Sequence, residues 1–234
     1  MQTKTICVLA NSVKKGASCI AGIEVVLGPD GQVRSFGEWV RPVGSAGRAN
    51  AIKIWQSKMS NGKQPKLLDL IQIPVLKHVG TETQPENWLV DNTRLWNYHG
   101  RLKGTDFGRL KRLSDSSCDL WLDRGLSTDR VSSRNLLACQ ANSLRFVEVG
   151  NFKVLIASNG RDRIKRRARF TFKNVNYELP LTDPNIQKKY FPTWPSVATG
   201  FVDGPPESCT LTVSLGEAWP ENSGTHYKFV AAVL

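Results

Sequence analysis

Arg161–Leu181 reads RDRIKRRARFTFKNVNYELPL. From Ala168 onward it alternates: Arg169, Thr171 and Lys173 fall on one side, Ala168, Phe170 and Phe172 on the other. Successive side chains point to opposite faces of a strand. The stretch therefore predicts a long strand region over 166–181 with a basic outer face and an aromatic inner face. A row of fixed positive charges on a sheet suits phosphate binding, because neutralising a polyanion releases its condensed counterions. The same row would also keep an edge strand solvated and unpaired with other chains.

Strand signals continue on both sides of this stretch. Ser143–Val149 and Phe152–Ala157 flank Gly150-Asn151 and read as a hairpin. Thr182–Tyr190 reads as a turn into a helical piece, with Asp183 as N-cap and Pro184 at the first helical position. Pro192, Pro195, Pro205 and Pro206 mark loop, and Cys209–Leu215 and His226–Leu234 are the last strands. Five strands with a short helix between the third and fourth match the layout of an OB-fold, though several small barrels share that count.

The front of the chain repeats the theme. Thr5–Ala10 is an apolar, β-branched run, Cys19–Leu27 reads as a second strand, Val33–Val43 contains a third, and Leu67–Val79 is a fourth, apolar strand region. Gly28-Pro29-Asp30-Gly31 is a strong turn signal, and Gly44–Lys66 reads mainly as polar loop. Between these parts, Trp88–Trp96 suggests a short helix and Leu120-Trp121-Leu122 an apolar anchor. The expected organisation is mainly β: one small barrel over 1–82, a mixed helical and loop segment over 83–142, and a second small barrel over 143–234.

Composition narrows the partners. The chain has 234 residues, 32 Lys and Arg against 20 Asp and Glu, a net charge of +12 and a pI near 9.7. This balance favours nucleic acid, and it would also attract an acidic protein or an anionic membrane. No amphipathic helix or lipid-anchor motif supports the membrane. MQTKTICVLANS is broken by Asn11 and Ser12 and lacks a cleavage pattern. No apolar run reaches the ~20 residues of a membrane span. A soluble, cytoplasmic protein is expected. Five cysteines at irregular spacings argue against a disulfide framework or a structural zinc, and three separated histidines form no ligand set. Neither metal nor cofactor is expected.

The candidate contacts for nucleic acid lie in three places. Lys14 and Lys15 occupy the first hairpin loop beside Asn11, where OB-folds often touch ligand, and a lysine turn is also common on any soluble protein. Trp39 and Arg41 share a strand face that could stack a base and hold a phosphate. Alternatively, Trp39 is core and Arg41 pairs with a carboxylate such as Glu24. Arg161, Arg163, Lys165, Arg166, Arg167 and Arg169 form the densest basic cluster, opposed in sequence by Asp162 alone and followed by Lys173. Trp121 and Trp194 are either stacking platforms or braces. Glu178 and Glu217 would have to converge to hold Mg²⁺ in a nuclease, and capping or ion-pair roles fit them better. The chain carries no P-loop, no GxGxxG and no nucleophile elbow. A non-catalytic nucleic-acid binder is therefore the leading expectation. The alternatives are an interaction module for an acidic partner and a cryptic nuclease.

Longer motifs add a resemblance. KTICVLANSVKKGASCIAGIE at the start, GEWVRPVG near 40, QPENW at 84–88, YELPLTDP at 177–184, and SLGE followed by HYKFVAAVL resemble the bacterial dual OB-domain family. The match runs nearly end to end. It implies two OB-like barrels in one chain and nucleic-acid binding, in the setting of prokaryotic defence systems. It brings no catalytic residue set.

Overall fold

The computed structural model describes residues 2–14, 17–44, 51–115, 119–138, 142–158, 164–190, 200–203, 208–219 and 224–234. They form two compact units, Met1–Leu113 and Ser114–Leu234. Both are built mainly from strands.

In the first unit β1 (Gln2–Lys14), β2 (Ala17–Leu27), β3 (Val33–Val43), β4 (Asp69–His78) and β5 (Asn87–Val90) close into a barrel. β1 runs antiparallel to both β2 and β4. β3 and β5 pair in parallel through Arg41↔Asn87, Pro42↔Trp88 and Val43↔Leu89. The cyclic strand order is first, second, third, fifth, fourth, first. Ile6, Val8, Ile20, Val40, Ile71, Ile73, Val75 and Val90 fill the interior with Met59 and Trp96. Gly22 permits the tight approach of β1 and β2, because a Cβ there would lie 2.0 Å from the Cys7 carbonyl oxygen. A 3-10 turn, Ile54–Ser57, lies between β3 and β4 where the sequence suggested only loop. The region expected to start a helix at Trp88 instead supplies β5 and β6 (Asn97–Arg101), with β6 pairing to β4. The helix α1 (Gly104–Lys111) follows.

The second unit begins with β7 (Arg130–Ser132) and α2 (Ser133–Ala138). Segment 83–142, expected to bridge two barrels, is thus divided: β5, β6 and α1 belong to the first unit, β7 and α2 to the second. Gly150-Asn151 is not a hairpin turn. Asn151 takes φ 53° inside one long strand, β8 (Leu144–Ser158). Both halves of β8 are held by ladders. The first half pairs with β12 (Ser208–Ala218). The second pairs with β9 (Ile164–Phe172) and β11 (Gly200–Asp203).

The long strand region expected over 166–181 is a hairpin. β9 turns through Lys173 (φ 48°) and Asn174 (φ 61°) into β10 (Val175–Pro180), and two successive positive φ values are the signature of a tight two-residue hairpin turn. One strand was split and two were merged, so the expected total of five main strands survives. The helix α3 (Pro184–Tyr190) starts as read. Asp183 Oδ1 accepts the Asn185 N–H at 2.8 Å and Oδ2 accepts the Val233 N–H at 2.9 Å, tying the helix to β13 (Thr225–Val233). The sheet runs β10-β9-β8-β12-β13 with β7 outside β13. This is the first unit's cyclic order, curled into a half-barrel. Among the described residues the third and fifth strands meet at the parallel bridge Leu181↔Val230, beside which Thr182 Oγ1 donates to the Val230 carbonyl at 3.1 Å.

Candidate functional site

Charge is divided unequally. Residues 1–113 hold 17 Lys and Arg against eight Asp and Glu, a balance of +9. Residues 114–234 hold 15 against 12, a balance of +3. The second unit, which carries the densest basic cluster in the sequence, has the smaller excess.

On β9 the faces fall as the alternation predicts: Ala168, Phe170 and Phe172 are buried, and Arg169 is exposed. Lys173 is exposed in the turn, its Nζ 5.8 Å from the Phe172 ring centroid. However, Asp162 is not the only acid opposing this cluster. Register sets Glu178 of β10 opposite Arg169. The Glu178 carboxylate pairs with Arg169 Nη2 and with Arg167 Nε, each at 2.8 Å. Arg167 Nη2 also reaches Asp129 at 2.7 Å and donates to the Glu178 carbonyl. Arg166 Nη1 donates to Gln187 of α3 at 3.2 Å. Glu178 therefore serves in ion pairs. Arg161, Arg163, Lys15 and Trp194 lie outside the described residues. Lys14 and Lys165 are described in their backbone alone, as the ends of β1 and β9 near their turns.

The paired arginines surround a buried network. Lys228 of β13 is fully buried; its Nζ donates to the Thr128 carbonyl at 3.0 Å and lies 5.9 Å from the Tyr177 ring centroid. Desolvation lowers its pKa to about 8, against the opposing pull of Asp129 and Asp123. Burial acts to raise the Asp129 carboxyl, but hydrogen bonds from Ser127 and Arg167 outweigh it and hold it below the usual range. Thr128 Oγ1 accepts the Glu178 N–H at 3.1 Å, while the Asp129 carbonyl accepts the Lys228 N–H at 2.9 Å. Segment 127–129 thus bonds to β10 on one side and β13 on the other, filling the seam of the half-barrel.

In the first unit Arg41 is paired, and the partner shown is Glu86. Glu24 binds Lys4 at 2.9 Å. Arg41 meets Glu86 at 3.1 Å and donates its N–H to the Glu86 carbonyl at 2.8 Å, beside the parallel β3–β5 ladder. Trp39 is half-buried, and Trp121 is a core residue of the second unit.

The exposed chemistry of the first unit lies in segments the sequence reading passed over. Residues 51–66, AIKIWQSKMSNGKQPK, hold four lysines and no acid. Within them Ile54 and Trp55 are each 59 % exposed, whereas Gln56 and Ser57 are buried. Gln56 Oε1 accepts the Lys53 N–H at 2.8 Å and its Nε2 donates to Asn92 Oδ1 at 2.9 Å. Ser60 N–H donates to the Trp96 carbonyl at 2.7 Å, and Trp96 N–H to the Lys58 carbonyl at 3.3 Å. This brings Arg94 and Leu95 beside the turn. Ile52 exchanges both backbone hydrogen bonds with Ser18, next to the tip of the first hairpin. The available sequence signal was Trp55 among lysines, in a run from 39 to 68 with six Lys and Arg and no acid.

Among the described residues no group of three or more His, Cys, Asp and Glu could hold a metal ion. Among the described residues no helix is long and apolar enough to cross a membrane. Two barrels of one cyclic order within a single chain match a known pattern, and the dual OB-containing domain matches residues 4–233. The chain belongs to the dual OB-containing domain family. Neither a curated protein nor a solved structure matches.

Proposed function

We propose that this protein is a nucleic-acid-binding protein without catalysis of its own, and that its closed first barrel supplies most of the attraction. The observation that carries the reading is the charge balance. The closed barrel unit holds +9 of the net +12, and its longest basic stretch contains no acid. A polyanion gains affinity by releasing counterions to such a surface, with little dependence on base sequence. OB-like barrels commonly present oligonucleotide-binding faces, which supports this reading. The arginines of β9 contribute less in this proposal, since Arg167 and Arg169 already face Glu178 and Asp129.

The test is fluorescence anisotropy of labelled single-stranded DNA, single-stranded RNA and duplex DNA over a salt series. Micromolar or tighter binding that weakens steeply as salt rises supports the proposal. No binding at low salt to any of the three rejects it.

A further inference from the structure

Burial in the turn after β3 runs against polarity. Gln56 and Ser57 point in and are hydrogen-bonded, while Ile54 and Trp55 point out. An exposed tryptophan in a loose loop would carry little meaning. Here the backbone around it is fastened at several points. Gln56 bonds Lys53 and Asn92, Ser57 Oγ donates to Gln64 at 2.8 Å, Gln64 Nε2 donates to the Ile54 carbonyl at 3.1 Å, and Met59 pairs in parallel with Trp96. Fixing this turn on the core residues Ile52, Met59 and Trp96 leaves the indole displayed on a rigid support. A platform already ordered loses little conformational entropy when a ligand stacks on it.

Its surroundings are cationic. Lys53 and Lys58 flank it in the same turn and are exposed. The neighbouring stretch 92–105, NTRLWNYHGRLKGT, holds three more Lys and Arg, with Asp91 just before it facing Arg94. We propose that Trp55, with Ile54, Lys53, Lys58 and the adjoining Arg94 and Leu95, forms a binding site for single-stranded nucleic acid. In this site Trp55 stacks a base and the lysines hold phosphates. The proposal rests on the nucleic-acid reading above and gives that reading a location. Charge complementarity selects a polyanion, and the displayed indole selects one with exposed base faces, which a duplex hides.

Full-length variants test the site against a labelled single strand. Trp55→Ala should weaken binding roughly tenfold, and Trp55→Phe should restore much of the loss. Lys53→Glu with Lys58→Glu should weaken binding and lower the salt slope by about 1.4. Lys188→Glu with Lys189→Glu, on α3 of the second unit, should change little. These side chains are exposed, so thermal melts should stay near wild type and separate lost contacts from lost fold. Wild-type binding that neither first-unit variant weakens overturns the site and leaves the nucleic-acid function standing. Duplex binding as tight as single-strand binding, indifferent to Trp55→Ala, also overturns it. Absence of wild-type binding removes both the site and the function.

Discussion

The two units solve one topological problem in different ways. Each must bring its third strand to its fifth. In the first unit a parallel ladder of three residue pairs does so, with Arg41 clasping Glu86 beside it. In the second the strands meet at Leu181↔Val230, and segment 127–129 takes up the remaining seam with Thr128, Asp129 and the buried Lys228. The difference decides what charge is for. Arginines at a seam filled by polar groups are used internally, against Asp129 and Glu178. A barrel closed mainly by its own strands leaves its lysines outside, in the acid-free stretch that frames Trp55.

The largest expected effect comes from breaking the first seam. Glu86 has a side chain only 1 % exposed, so Glu86→Ala strands a mostly buried Arg41 and should destabilise the first unit by about 3–5 kcal/mol. Urea denaturation reads the loss, and hydrogen exchange should rise first in β3 and β5.

The second seam has a pH signature. Lys228 has a pKa near 8 in the folded chain and 10.5 as a free side chain. Between these values the unfolded chain binds more protons, so stability should rise with pH through that window, by about 3 kcal/mol, and not below it. Lys228→Met should flatten this rise and be at least as stable at pH 7, because it removes a buried charge. Urea melts at pH 7, 8.5 and 10 check both statements.

Asp183→Ala removes the cap of α3 and the acceptor for Val233, and should lose about 1–2 kcal/mol. Burial raises the pKa of Asp183. Stability should therefore fall as pH rises from 3.8 through the raised folded pKa of this carboxyl, opposite in sign to the Lys228 effect. The smallest effect belongs to Arg169→Gln. Its side chain is 48 % exposed, so loss of the Glu178 pair should change stability by about 0.5 kcal/mol or less.

Local chemistry made part of this fold legible. β3 fills Val33–Val43, the stretch read to contain a third strand, and Asp183-Pro184 announced α3 because capping needs only neighbouring residues. The inward face of β9 followed from alternation alone. Gly150-Asn151 misled because a left-handed Asn serves a bend within a strand as well as a hairpin turn. Only the ladders to β12, β9 and β11 distinguish the two. The real turn, at Lys173-Asn174, hid because lysine is a poor signal for positive φ. The acids that face the arginines come from β10 and from segment 127–129, and no local pattern reports such register. Trp55 was visible among its lysines, but its outward direction depends on the burial of Gln56 and Ser57.

The most direct measurement is photocrosslinking of the full-length protein to a single strand carrying photoreactive thio-pyrimidines, with the attached peptides mapped by mass spectrometry. Crosslinks concentrated in residues 51–66 and 92–101 are the predicted result. Crosslinks confined to 164–173 would contradict it, and would mean that nucleic acid displaces Glu178 and Asp129 from the arginines of β9.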